Sequence, residues 1–126
     1  MILMNILIIG VGGFVGAILR YLVSGWTHRI AGASFPYGTL AVNVLGSFLL
    51  GFFLIIAEGR FIINPQVRNL IAIGLLGAFT TYSTFSFETI MLLREMMYLQ
   101  ALLNMALNLI LGLIAVWLGI TLARLI

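Results

Sequence analysis

Apolar residues run along this chain in four long stretches, and three short polar segments separate them. The polar segments read "WTHRIAGASFPYG", "EGRFIINPQ" and "REMMY". A helix that crosses the hydrocarbon core of a bilayer needs about 20 apolar residues, so four spans are predicted at about 3–25, 38–57, 67–93 and 99–123. Because a chain in lipid must satisfy its backbone hydrogen bonds internally, the pattern predicts an all-α membrane protein with four transmembrane helices.

The composition supports a membrane location. Hydrophobic residues make up 63% of the chain and charged residues 7%, whereas a soluble domain carries about 25% charged residues. The 126 residues leave room for a single four-span membrane domain over 1–126, so we expect a multi-pass protein of the cell membrane. The N-terminal stretch has no basic segment and is too long for a signal-peptide core, so we expect a retained span.

The arginines divide equally between the two sides of such a bundle: Arg60, Arg68 and Arg124 lie on the side of the termini, and Arg20, Arg29 and Arg94 on the other. The positive-inside rule therefore gives no preferred orientation. We predict that both orientations are made and that they pair as an antiparallel, dual-topology homodimer. The alternative is that another factor fixes one orientation. The net charge of +3 forms no basic stripe, so no nucleic-acid partner is expected.

Glycines predict close helix packing. Gly12 and Gly16 form a small-xxx-small pair on the first span, and Gly46 with Leu50 and Gly51 gives a similar opening on the second. Four helices packed through such faces enclose little space. A transporter or channel of this size is therefore expected to need a partner subunit.

Polar side chains inside the predicted spans are candidates for function, because they are costly in lipid unless they are paired or face water. On the second span, Thr39 precedes Asn43 by four residues, and on the fourth, Asn104 precedes Asn108 by four. This spacing stacks each pair on one helix face. The alternative for each residue is that it only joins neighbouring helices by hydrogen bonds.

The third span contains "GAFTTYSTFSFET" at 77–89, which is unusually rich in hydroxyl and aromatic side chains. On a helix, Tyr82 and Phe85 share one face by their three-residue spacing, while Thr81, Thr84 and Glu88 follow one another along the adjacent face. One stripe is therefore aromatic and the other polar.

The same segment predicts a break near the middle of the third helix. Gly77 and the successive β-branched residues Thr80 and Thr81 are poor helix formers. A break at this depth frees backbone carbonyls, which then need a cation, a hydroxyl group or water as a partner. Discontinuous helices of this kind build ion sites in transporters.

The chemistry of the interior groups favours an anion. Amides, hydroxyls and the positive edges of aromatic rings are donors, whereas a cation pathway would show rings of acidic side chains. Glu88 is the one acid placed within a predicted span. Few donors and tight packing favour a small anion.

Two motifs and one arginine resemble a known family. "GTLAVNVLG" (38–46), "GAFTTYSTFSFE" (77–88) and Arg20, which ends the glycine-rich first span, are similar to the Fluc/CrcB fluoride channels over essentially the whole chain. The resemblance implies an antiparallel homodimer with two narrow pores. It also implies passive export of fluoride that has entered as HF and been trapped as the anion in the cytoplasm.

The resemblance also assigns pore residues. Asn43 would be the amide donor to fluoride and Phe85 an edge-on aromatic donor, with Tyr82 standing where the family usually has Phe. A polar track would include Thr39, Ser83, Thr84 and Asn108. Another track position is Gly112, whose lack of a hydroxyl implies a shorter or water-filled track.

Two further roles follow from the resemblance. Arg20 would lie near an aqueous vestibule and attract anions, the alternative being an interfacial anchor. The backbone carbonyls of Gly77 and Thr80, from both subunits, would hold a structural sodium ion at the centre of the dimer.

Competing functions are less well supported. A small four-span drug/proton antiporter would match in size, but such proteins carry a glutamate in the first span, where this chain has Arg20 and no acid. An enzyme is not expected, because the chain has no cysteine and a single histidine, His28, which we expect in a loop. A purely structural membrane subunit would conduct no ions.

Overall fold

The computed structural model describes residues 1–59 and 61–126, and over those residues it contains helices and no strands. Helix α1 covers Ile2–Ala31, α2 covers Tyr37–Gly59, the third span covers Pro65–Arg94, and α6 covers Tyr98–Leu125. All four are long and apolar enough to cross a membrane. The prediction of an all-α, four-span protein is therefore confirmed, while Arg60, counted among the charges above, lies outside the described residues.

The first helix runs further than its apolar stretch predicts. It continues to Ala31, so His28 lies in its last turn and the prediction of a loop position was wrong. No glycine or proline interrupts the chain between Gly25 and Gly32, and the helix ends where Gly32 adopts a φ of 90°, a left-handed conformation that favours glycine. Polar residues alone do not end a helix that can extend into the headgroup region.

The third span consists of several pieces. Helix α3, Pro65–Arg68, begins with Asn64 as its cap and is followed by a π-helical segment, Asn69–Leu76. A short helix α4, Gly77–Phe79, leads to Thr80 and Thr81, whose backbones are extended (φ −84°, ψ 157° and φ −150°, ψ 117°). Helix α5, Tyr82–Arg94, completes the span.

Glycines bring the helix backbones into contact, as predicted. A Cβ atom on Gly12 would lie 3.0 Å from the backbone nitrogen of Leu75 in the π-helical segment, and one on Gly51 would lie 2.6 Å from the carbonyl oxygen of Val116 in α6. Gly46 faces the third span instead, where a Cβ atom on it would lie 3.1 Å from the ring of Phe79. Helix α1 therefore packs on the first half of the third span, and α2 lies between that half and α6.

The interior is small and the outer surface is apolar. Val42 and Asn104 are fully buried, whereas Phe14, Trp26 and Trp117 are each more than 60% exposed. A water-soluble protein would not expose such a continuous apolar surface. The arrangement suits a bundle surrounded by lipid.

Candidate functional site

The side chain of Asn43 binds the extended backbone between α4 and α5. Its Oδ1 accepts a hydrogen bond from the backbone amide of Thr81 at 2.8 Å, and its Nδ2 donates to the carbonyl oxygen of Thr81 at 3.1 Å. One amide side chain thus satisfies both backbone groups of a residue that is outside the helix. This pairing holds α2 against the interruption in the third span.

The interruption changes the partners of two further carbonyls. The amide of Thr81, whose regular helical acceptor would be the carbonyl of Gly77, donates to Asn43 instead. The amide of Thr84, whose regular acceptor would be the carbonyl of Thr80, donates to Thr81 Oγ1 at 3.2 Å. The carbonyls of Gly77 and Thr80, which the family resemblance assigns as sodium ligands, have therefore lost their regular helical donors.

A row of hydrogen bonds leads from Asn43 across α6 to α5. Asn43 Nδ2 donates to Asn108 Oδ1 at 3.0 Å, and Asn108 Nδ2 donates to Asn104 Oδ1 at 3.0 Å. Asn104 Nδ2 then donates to Thr89 Oγ1 at 2.9 Å, and the Thr89 hydroxyl donates to the carbonyl of Phe85 at 2.8 Å. The four-residue spacing predicts the pairing of Asn104 with Asn108. It does not predict the role of Thr89, because only the tertiary contact shows that Thr89 binds Asn104.

Thr39, the other candidate residue on α2, has a different partner. Thr39 donates from Oγ1 to Glu88 Oε1 at 2.7 Å. The second carboxyl oxygen of Glu88, Oε2, is buried and has no hydrogen-bond partner among residues 1–59 and 61–126. The Thr39 hydroxyl is thus already engaged, and an acidic group lies among the candidate anion-binding residues.

Two cavities meet at Thr81, which lines both. The larger, of about 650 Å³, is also lined by Arg20, Thr39, Thr84 and Glu88. The smaller, of about 360 Å³, is instead lined by Asn43, Tyr82, Phe85 and Asn108. The Asn43–Thr81 pair therefore lies where one cavity adjoins the other.

Most of the predicted pore residues line one of these two cavities. The rings of Tyr82 and Phe85 lie 5.7 Å apart with a tilt of 52°, as expected for one helix face. Tyr82 is 80% exposed, and Ser83 and Thr84 are also exposed in the single subunit. Ser83 lines neither cavity, but its Oγ lies 3.4 Å from Thr81 Oγ1.

Comparison with known proteins gives one consistent result. The family described as CrcB-like protein, Camphor Resistance (CrcB), matches residues 7–120. A protein from Shewanella baltica (strain OS185), named "Fluoride-specific ion channel FluC", is 53% identical over 116 residues, which cover 91% of this chain and 92% of the relative. Relatives of the same name from Shewanella sp. (strain W3-18-1) and Shewanella frigidimarina are each 51% identical, with the same shares covered.

These relatives are named as ion channels and not as enzymes, in agreement with the prediction that the chain is not an enzyme. Four apolar helices together with this relationship make it a multi-pass protein of the cell membrane. The motifs around Asn43 and in the third span lie within the matched residues. The chain belongs to the CrcB family, as its sequence motifs predicted.

Proposed function

We propose that this protein is a fluoride-selective channel that lets F⁻ leave the cytoplasm passively. The names of relatives more than 50% identical over most of the chain support the choice of ion. The observation that carries the proposal is the amide of Asn43, held between two cavities by a backbone that has left helical geometry. Amide and aromatic-edge donors in a tight site suit a small anion.

The proposed path follows the two cavities. Arg20, partly buried in the wall of the larger one, attracts the anion to this vestibule. Thr84 lines the same cavity. The Thr39 hydroxyl can donate a hydrogen bond to the anion once its bond to Glu88 breaks. Asn43 then leads into the smaller cavity, where Phe85 and Tyr82 offer ring edges.

We further propose that the extended residues Thr80 and Thr81 form a functional break that helps to hold a structural sodium ion. The carbonyls of Gly77 and Thr80 fit this role because their regular helical donors bind elsewhere. Sodium is a hard cation that prefers oxygen ligands, as calcium and magnesium do. Bound there, it would supply a fixed positive charge, and the remaining oxygens would come from a second subunit.

The proposed second subunit is an inverted copy of this chain. Tyr82 and Ser83 are exposed near the middle of the third span, where lipid offers their hydroxyls no hydrogen-bond partner. A partner on this face would cover them and complete two pores. The equal number of arginines on both sides of the bundle favours an antiparallel homodimer in the lipid bilayer.

The direction of transport follows from acid–base chemistry. Fluoride enters as neutral HF, ionises in the more alkaline cytoplasm and is trapped there. An inside-negative potential drives the anion outwards through an open pathway, with about 2.3 kcal/mol per charge per 100 mV. Passive export needs no nucleotide site.

The drug/proton antiporter is less well supported. It would place a carboxylate in the first span, and α1, Ile2–Ala31, contains no acidic residue. The acids in the wall of the larger cavity, Glu88 and Glu95, both follow the break in the third span, and Glu88 is bound by Thr39.

Efflux from vesicles tests the proposal. Purified protein in liposomes loaded with fluoride or chloride should release fluoride rapidly and chloride slowly, and Asn43→Ala should abolish the fluoride release. Asn5→Ala, in the first turns of α1, is the matched control and should behave as wild type. Equal release of both halides, or none of either, would reject the proposal.

A further inference from the structure

The row of hydrogen bonds from Asn43 to Phe85 has a direction that is fixed at both ends. The carbonyl of Phe85 can only accept, so the Thr89 hydroxyl must donate to it, and the Thr89 oxygen then accepts from Asn104 Nδ2. The Oδ1 of Asn104 is therefore turned to Asn108. The fully buried position of Asn104 leaves its side chain no water as an alternative partner.

The orientation of the next amide follows. Asn108 Nδ2 donates to Asn104 Oδ1 at 3.0 Å and to the carbonyl oxygen of Asn104 at 2.9 Å, which uses both of its hydrogens. Its Oδ1 is left to face Asn43. An amide turned the other way would bring the Asn108 NH₂ group against that of Asn43.

Asn43 is fixed from the opposite end. The backbone amide of Thr81 donates to Asn43 Oδ1, so the NH₂ group of Asn43 faces the carbonyl of Thr81 and Asn108 Oδ1. Asn43 has two N–H donors, and these two acceptors occupy both. In this arrangement the side chain that should meet an anion has no free donor.

We propose that Asn108 Oδ1 is a built-in competitor for the Asn43 amide, which fluoride must displace, so that Asn108 determines specificity and Asn104 and Thr89 are positioning residues. The inference rests on the proposed fluoride channel function. Of the two acceptors, the Thr81 carbonyl belongs to a backbone held at two points, whereas Asn108 is a partly buried side chain in the wall of the smaller cavity. Asn108 is therefore the acceptor that can yield.

The competition determines which anions can bind the Asn43 amide. To replace an amide oxygen that lies 3.0 Å from Asn43 Nδ2, an ion must be about as small as oxygen and a stronger acceptor. Fluoride is compact and charged, and hydrogen bonds to charged acceptors are roughly twice as strong as those between neutral groups. Chloride is larger and its charge is more diffuse. The hydrogen bond from Asn43 to chloride is therefore weaker than the bond to the Asn108 oxygen that chloride would have to displace.

Halide flux in proteoliposomes tests this through Asn108→Ala. The variant removes the acceptor that competes with fluoride for one Asn43 N–H. The fluoride concentration for half-maximal flux should therefore fall by roughly threefold to tenfold, which corresponds to the free energy of one ordinary hydrogen bond. The fluoride-to-chloride flux ratio should fall as well, because chloride no longer has to displace an acceptor. A purely structural role would lower both fluxes together and leave the ratio unchanged.

Thr89→Val tests the positioning residues, and Thr121→Val is its matched control. Both threonines donate to the carbonyl four residues earlier in their helix, but Thr89 also accepts from Asn104. Thr89→Val leaves Asn104 Nδ2 without its acceptor and frees the Asn108 amide to turn. It should lower the halide ratio in the same direction as Asn108→Ala, and Thr121→Val should keep the wild-type ratio.

The possible outcomes are distinct. A conducting Asn108→Ala protein with wild-type half-saturation and halide ratio would overturn this inference alone, whereas absence of fluoride flux in wild type would reject the channel function as well. If Asn108→Ala does not fold, side-chain amide NMR of the ¹⁵N-labelled wild type in detergent decides. Sodium fluoride should shift the resonances of both Asn43 and Asn108 while equimolar sodium chloride shifts neither; a shift of Asn43 alone, or of neither, would overturn the inference.

Discussion

Asn43 and Thr81 form a two-point hydrogen-bond pair, in which a side-chain amide on α2 binds both the N–H and the C=O of a backbone residue in the third span. Asn43 Oδ1 takes the place of the Gly77 carbonyl, which would be the regular helical acceptor of the Thr81 N–H. It also lies where the two cavities adjoin. Structure and proposed conduction therefore depend on the same residue.

The first prediction concerns the start of α5. Thr81 Oγ1 accepts from the backbone amide of Thr84 and caps this helix. Thr81→Val removes the cap and should lower the free energy of unfolding by about 1 kcal/mol. Thr81→Ser keeps the hydroxyl and should remain close to wild type in the same denaturation measurement in detergent. Equal stability of the two variants would contradict the capping role.

The second prediction concerns the contact between α1 and the third span. A Cβ atom on Gly16 would lie 2.9 Å from the carbonyl carbon of Leu75 and closer still to its oxygen, so Gly16→Ala must push two backbones apart. We expect a loss of about 1–3 kcal/mol in unfolding free energy. Gly10→Ala, on the same helix but with open space around its Cβ, should cause no loss.

The third prediction concerns the turn between α5 and α6. The amide of Met97 donates to the carbonyl of Leu92 and that of Met96 to Leu93, which is a Schellman motif, and Met96 adopts a φ of 60°. A left-handed conformation is strained for methionine and relaxed for glycine. Met96→Gly should raise the unfolding free energy by about 0.5–1 kcal/mol, whereas the β-branched Met96→Val should lower it by about 1 kcal/mol or more. The reverse order would contradict this account of the turn.

The fourth prediction concerns Arg20 in the wall of the larger cavity. If its charge draws fluoride into the vestibule, Arg20→Gln should lower fluoride flux most at low ionic strength, and the difference should shrink as added salt screens the charge. Arg20→Lys should retain most of the flux. Arg124→Gln, in the last turn of α6, provides the charge-matched control. A deficit of Arg20→Gln that does not change with salt would point to an anchoring role.

Much of the fold could be predicted because lipid imposes a simple rule. Apolar length alone predicts the four spans. The helical position of His28 was missed because helix ends near the headgroups depend on breakers such as Gly32 and not on polarity. The π-helical geometry of Asn69–Leu76 gave no signal in residue type.

The sequence marks the polar residues inside the spans, but it does not show how they are connected. Asn43 and Asn108 were chosen as polar residues inside spans, but their direct bond depends on how α2 meets α6. Thr89 is one of several hydroxyl residues in α5, and only its contact with Asn104 links it to the row. Side-chain partners across helices are set by tertiary packing, which spacing along one helix cannot give.

The reversal potential of the fluoride current in a planar bilayer tests the central claim most directly. With fluoride gradients across the membrane and chloride equal on both sides, a passive fluoride channel predicts a reversal potential that shifts by about 59 mV per tenfold gradient and is unaffected by a pH gradient. A current that reverses at the chloride potential, or a reversal potential that follows the pH gradient, would contradict it.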